Sequence, residues 1–184
     1  MAMVAETELV TARAFALLPK QSQPIQLIGG VVVVSPSPTP RHQSVVLRLG
    51  RFFGDVADAK QLGRWYVAPL DLRVSAYDVY QPDLCFFPTD GLPDPDVVPI
   101  TSLPSIVIEV LSPGSRSVDM HEKLPQYAAR GVPEYWILDP ASSRFTLHVL
   151  GDDGAYVTIP VISGAIPVGV FAGTPIDLDA IFSA

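Results

Sequence analysis

A single cysteine, Cys85, stands in 184 residues, so no disulfide can form within the chain. That fits a reducing compartment, and a cytoplasmic protein is expected. Charge is sparse at 17% and leans acidic, with 12 Lys and Arg against 19 Asp and Glu and a formal net charge of −7. A balance of that sign argues against unspecific coating of nucleic acid or of an anionic membrane. No apolar run approaches the roughly 18 residues of a membrane span, and no charged, apolar, small-residue leader opens the chain, so no membrane association is expected. No internal repeat and no low-complexity tract is visible, which excludes solenoid and linker architectures.

Hydrophobic residues supply 48% of the chain, which is globular rather than disordered composition. The 19 prolines, about twice the usual share, imply short elements joined by stiff loops. The length suits one domain over residues 1–184. Within it we distinguish an N-terminal helix and hairpin (11–34), a core (41–140), and a C-terminal hairpin with a short helix (144–184). The charge is uneven: residues 41–73 sum to +3, whereas 74–133 and 134–184 each sum to −5. This is either a basic patch on an acidic body or the ordinary charge of a solvated helix face.

The most informative stretch is 104–139, PSIVIEVLSPGSRSVDMHEKLPQYAARGVPEYWILDP. An apolar run from Ile106 to Leu111, a Ser-Pro-Gly break, a polar helical segment and a second apolar run from Tyr135 to Leu138 read as strand, turn, helix, strand. That is the pattern of parallel neighbours in a sheet. Glu109 interrupts the first run. A carboxylate in a core strand is costly unless a cation or hydrogen-bond donors replace its water, so something must face it.

Elsewhere, Thr11 to Leu18 reads as a short helix capped by Thr11. Ile25–Ile28 and Val31–Val34 around Gly29-Gly30 read as a hairpin. From Arg41 to about Ala59, apolar residues at 45, 46, 49, 52, 53 and 56 follow helical spacing, with His42 in the first turn. Trp65 to Leu70, Leu70 to Val74 and Leu84 to Phe87 read as strands, the last entered through Pro82-Asp83. The acidic, Pro-rich segment 90–104 reads as a mobile loop. Phe145 to Leu150 and Tyr156 to Val161 form a second hairpin, and 176–182 a last helix capped by Asp177.

Asp83 thus opens one strand and Glu109 lies inside the next. If the strands are neighbours, both carboxylates can converge on one hard cation, Mg²⁺ or Mn²⁺, with the Val110 carbonyl as a further oxygen ligand. Lys123 is the nearest candidate cation, on the helix that follows, with Tyr127 one turn on. Asp119 and Glu122 resemble a capping box at the start of that helix. Each residue has a plainer reading. Asp83 can cap a turn, Glu109 can pair structurally with Lys123 or Arg116, Lys123 can be a surface residue, and His42 can be solvated or capping.

Pro82-Asp83, the EVLSP run 109–113, Asp119 with Lys123 and Tyr127, and GVPEYWILDP at 131–140 resemble the Uma-type family of restriction-endonuclease-like proteins, within the PD-(D/E)XK nuclease superfamily. The likeness runs from about Thr11 to Phe182 and is densest over 109–140. It implies an α/β (α+β) restriction-endonuclease-like core: a central mixed sheet flanked by helices, here with hairpins at both ends. It also implies a Mg²⁺- or Mn²⁺-dependent endonuclease acting on nucleic acid, with DNA the expected substrate and a homodimer the expected form. By resemblance Asp83 and Glu109 are the acidic positions, Lys123 the displaced catalytic lysine, and His42 the family's usual histidine. Two features depart from the pattern. Gln26 stands where the family's Tyr-Glu-Leu-Ile-Asp-Gly-Glu hairpin carries an acid, and Pro125 lies two residues beyond Lys123. The alternative reading is a catalytically weakened descendant that binds nucleic acid or a protein.

Overall fold

The computed structural model describes residues 9–19, 21–162 and 164–183. In chain order these form α1 (Ala12–Phe15), β1 (Ile25–Ile28), β2 (Val31–Val34), α2 (Pro40–Ala59), β3 (Gly63–Val67), β4 (Leu72–Arg73), β5 (Val79–Tyr80), β6 (Leu84–Pro88) and β7 (Ile106–Val110). A π-helical turn, Val118–Lys123, then runs directly into α3 (Leu124–Arg130). After it come β8 (Glu134–Asp139), β9 (Arg144–Leu150), β10 (Tyr156–Val161), β11 (Gly164–Ala165), β12 (Pro175–Ile176) and α4 (Leu178–Phe182).

The main sheet has six strands in the order β10-β9-β8-β7-β6-β3. Its one parallel pair is β7 and β8, joined by the helical crossover that the 104–139 pattern predicts; every other pair is antiparallel. The sheet is mixed and buried on both faces, so its central strands read as continuous apolar runs rather than alternating ones.

One face packs on α2. Val45, Val46, Leu49, Phe53 and Ala57 meet Phe86, Ile108, Val110 and Trp136, with the Phe53 and Trp136 ring centroids 5.2 Å apart. Thr39 caps α2, its Oγ1 accepting the His42 N–H at 3.2 Å, and Pro40 occupies the first turn, where its missing donor is no loss. The other face packs on α3: Tyr127 and Tyr135, 5.1 Å apart, join Cys85, Phe87, Val107 and Leu111. Residues 85, 87, 107 and 111 share parity with 83 and 109, so the fold places both carboxylates on the α3 side of the sheet.

A second, four-stranded sheet of order β2-β1-β5-β4 lies beside it. The Gly29-Gly30 hairpin forms as expected. Both glycines have positive φ, +54° and +80°, as a two-residue turn of type I′ requires. The expected strand over 65–70 stops at Val67, and only Leu72–Arg73 pairs in the strand after it. The expected mobile loop 90–104 is pinned midway instead. Ile100 is buried, its N–H donates to the Asp71 carbonyl at 2.8 Å and its carbonyl accepts from the Arg73 N–H at 2.8 Å. One apolar residue among prolines decided that segment. Thr11 and Asp177 cap α1 and α4 as read from the sequence, though α1 ends earlier, at Phe15.

Candidate functional site

The register of β6 and β7 pairs Leu84 with Ile108. One step beyond that ladder, Asp83 stands opposite Glu109, and residues directly opposite point to the same face. Both line a cavity of about 210 Å³ at the end of the sheet, together with Gln26, His42, Asp119 and Lys123, under a rim of prolines that includes Pro36 and Pro38.

Asp83 is held by two donors on one oxygen. Its Oδ2 accepts the Val110 N–H at 2.8 Å and lies 3.1 Å from His42 Nε2. Burial works to lower the His42 pKa, but Asp83 and the backbone of Val110 outweigh it, so the imidazole is held above its ordinary value. His42 reaches the site because Thr39 and Pro40 start α2 just short of it. The Val110 backbone therefore serves Asp83 through its N–H.

Glu109 is buried at 4% exposure, and the charge facing it is Lys123, whose Nζ is 2.9 Å from Oε1. Lys123 is itself only 3% exposed, so the surface-lysine reading fails. Its ammonium also lies 2.9 Å from Asp119 Oδ1, one helical turn back, and 5.8 Å from the centre of the Tyr80 ring. Burial favours a neutral lysine; the carboxylates of Glu109 and Asp119 overcome it and hold the ammonium above its usual range. Burial raises the Glu109 carboxyl, Asp119 and Asp83 push it further up, and Lys123 pulls it only part of the way back, so the carboxyl is held well above its ordinary value.

Asp119 is the residue that sequence reasoning misplaced. Asp-x-x-Glu spacing reads as a helix cap, yet Asp119 is 1% exposed and the helix start carries no side-chain cap. The π-helical turn swings Asp119 and Lys123 inward as a pair, and Tyr135 Oη anchors it by donating to the Asp119 carbonyl at 3.0 Å. Pro125 explains the turn's position. It sits in the first turn of α3, where a wider π turn before it accommodates an absent amide donor. The one sequence signal was the i, i+4 spacing of an acid and a lysine beside a proline. Arg116, the other suggested partner of Glu109, instead pairs with Asp139 at 2.7 Å.

Gln26 also faces the cavity, but both ends of its amide are engaged. Oε1 accepts the Gln81 N–H at 2.9 Å, and Nε2 donates to Ser35 Oγ at 2.8 Å. Tyr127 does not line the cavity. It is wholly buried, and its hydroxyl has no hydrogen-bond partner among the described residues. Tyr127→Phe should therefore keep the fold and raise stability by about 1 kcal/mol, the cost of a buried unpaired hydroxyl; urea unfolding measures it.

Among the described residues, no group of three His, Cys, Asp or Glu side chains is arranged to hold a metal ion by side chains alone. The oxygen atoms present still fit a cation. Three carboxylates, Asp83, Glu109 and Asp119, share one cavity with Lys123 and His42, and Asp83 Oδ1 and Glu109 Oε2 receive no donor among the described residues. Hard oxygens with unused lone pairs suit a divalent ion that keeps several waters.

A mixed sheet with paired acids at the end of two central strands, and a lysine brought to them from the crossover helix, defines a restriction-endonuclease-like nuclease fold. Residues 12–175 match the model of the Uma2 family, described as "Putative restriction endonuclease", and the chain belongs to that family. Its structure is similar to that of a protein from Anabaena variabilis ATCC 29413 described as a putative nuclease belonging to DUF820. The TM-score is 0.79 at 18% identity, over 95% of this chain and 98% of that one. No curated protein matches the chain. Among the described residues no helix is long and apolar enough to cross a membrane.

Proposed function

We propose that this chain is a Mg²⁺- or Mn²⁺-dependent endonuclease that hydrolyses phosphodiester bonds in DNA. The observation that carries the reading is the convergence of Asp83 and Glu109 on one cavity with the Lys123 ammonium 2.9 Å from Glu109. Asp83 and Glu109, with the Val110 carbonyl, would hold the ion. A divalent ion there would polarise the phosphodiester and offset the charge that grows on it. Lys123, kept cationic by the carboxylates beside it, would orient the attacking water and stabilise the pentacovalent phosphorus through its N–H donors. Asp119 keeps hold of Lys123 if Glu109 turns to other partners. His42 fixes Asp83 from the first turn of α2.

The ion's binding is testable apart from turnover. Mg²⁺ or Mn²⁺ at about 100 times its Kd should stabilise the protein by about 2.7 kcal/mol, read as a rise in Tm. Asp83→Ala should lose that rise. No rise in wild type, or an equal rise in Asp83→Ala, would remove the metal from the proposal.

A second reading, a weakened nuclease fold that binds nucleic acid or protein, draws on Gln26 and on the net charge of −7. An amide committed to Gln81 and Ser35 adds no charge to the site. Metal binding without cleavage is the outcome that would favour it.

A further inference from the structure

We infer that β2 is a self-association edge: two copies of this chain pair their β2 strands antiparallel about a two-fold axis at Val33, joining their four-stranded sheets into one. The expected homodimer of the nuclease reading names no interface; the assignment of the β2 edge and its register goes beyond it and does not depend on it.

β2 is an outer strand of its sheet. The hairpin geometry determines which of its backbone groups are free. Residues facing each other alternate between hydrogen-bonded and non-bonded pairs. Ser35 N–H donates to the Pro24 carbonyl at 2.9 Å, so Pro24–Ser35 is a bonded pair. Counting inward along the register, Gln26–Val33 and Ile28–Val31 are bonded as well, while Ile25–Val34 and Leu27–Val32 are not. The N–H and C=O groups of Val32 and Val34 therefore point away from the sheet, and no backbone partner for them occurs among the described residues.

Exposed edges are normally blunted by charge, proline, bulges or short length. The other edges here follow that rule: β10 carries Pro160, β3 carries Arg64, and β4 is two residues long. β2 carries no charge, proline or bulge. It is four valines in succession, with Val31 and Val34 more than half exposed, and residues 21–40 contain no charged side chain. On a chain of net charge −7, this neutral stretch is where two copies can approach without repulsion.

The free groups also choose the partner. In an antiparallel pair centred on Val33, Val32 of one copy faces Val34 of the other, and Val34 faces Val32. Both are outward-bonding residues, so both bonded pairs form at once, with Val33 facing Val33 between them as the non-bonded pair. A two-fold axis requires this self-complementarity, and a strand with outward groups at two alternate positions satisfies it with its own copy.

Sedimentation velocity across micromolar to hundred-micromolar protein should show a monomer–dimer equilibrium. Val34→Lys, which places a charge on the edge, should weaken it by about tenfold while the monomer's Tm is unchanged. Val33→Cys gives a second test that survives a folding defect in the first. A non-bonded antiparallel pair sets the two Cα atoms about 4.5 Å apart, within disulfide range, and Cys85 is buried and out of reach. Mild oxidation should link Val33→Cys into a dimer and leave Val31→Cys, which this register places opposite Ser35, monomeric. A monomer at every concentration, a dimer indifferent to Val34→Lys, or equal cross-linking of the two cysteine variants would each overturn the inference.

Discussion

Lys123→Ala is expected to lose about 3–5 kcal/mol of folding stability, the range measured when one partner of a buried ion pair is removed. The substitution leaves Glu109 and Asp119 facing each other at 4% and 1% exposure with no cation between them. Neither can recover its water, and each disfavours the charge of the other. Glu109→Gln should be milder, about 1–3 kcal/mol, because Lys123 retains Asp119 2.9 Å away. Denaturant unfolding of the two variants ranks them. A Lys123→Ala protein within about 1 kcal/mol of wild type, the ordinary scale of a surface substitution, would mean that the lysine does not hold Glu109 and Asp119 in place. Loss of cleavage in Lys123→Ala has to be read at a temperature where that variant is folded.

Gln26→Glu is expected to tighten Mg²⁺ binding by about tenfold, equivalent to about 1.4 kcal/mol. Glutamate can keep the hydrogen bond that Gln26 Oε1 accepts from Gln81 N–H, and Ser35 Oγ can turn to donate to its second oxygen. What changes is one negative charge on the wall of a cavity that already holds Asp83 and Glu109. In the absence of ion that charge is unfavourable and Tm should fall; with Mg²⁺ the fall should be reversed. Titrating Mg²⁺ into both proteins while following thermal unfolding separates the cases. A variant destabilised equally with and without Mg²⁺ would argue that no divalent ion enters this cavity.

The elements legible in the sequence were those with a strong local period or a local turn signature. Leu84–Phe87, Ile106–Val110 and Tyr135–Leu138 announce buried strands because both faces of the sheet are covered. Gly29-Gly30 announces a hairpin because two positive φ values in succession exclude most other residues. The sequence put Asp83 and Glu109 together only on condition that their strands are neighbours; the register that sets them opposite each other was not legible. Asp119 was not legible in the same way. Its spacing to Glu122 satisfies a local rule for a helix start, whereas its burial depends on a π turn and on Tyr135, contacts that arise only when the crossover packs on the sheet. Ile100 is a similar case, one apolar residue that fixes a proline-rich loop through a bridge to Leu72. The two-residue strands β5 and β4 have no period to read at all. Their existence depends on Leu27 and Ile100 supplying partners from far along the chain.

The measurement that bears most directly on the proposed activity is cleavage of supercoiled plasmid and of single-stranded DNA, in Mg²⁺, in Mn²⁺ and in EDTA, by wild type, Glu109→Ala and Lys123→Ala. Wild type should nick or cut DNA with either ion and not in EDTA, and both variants, confirmed folded under the assay conditions, should be inactive. Equal activity in all three proteins, or activity that survives EDTA, would contradict a metal-dependent site built on Glu109 and Lys123.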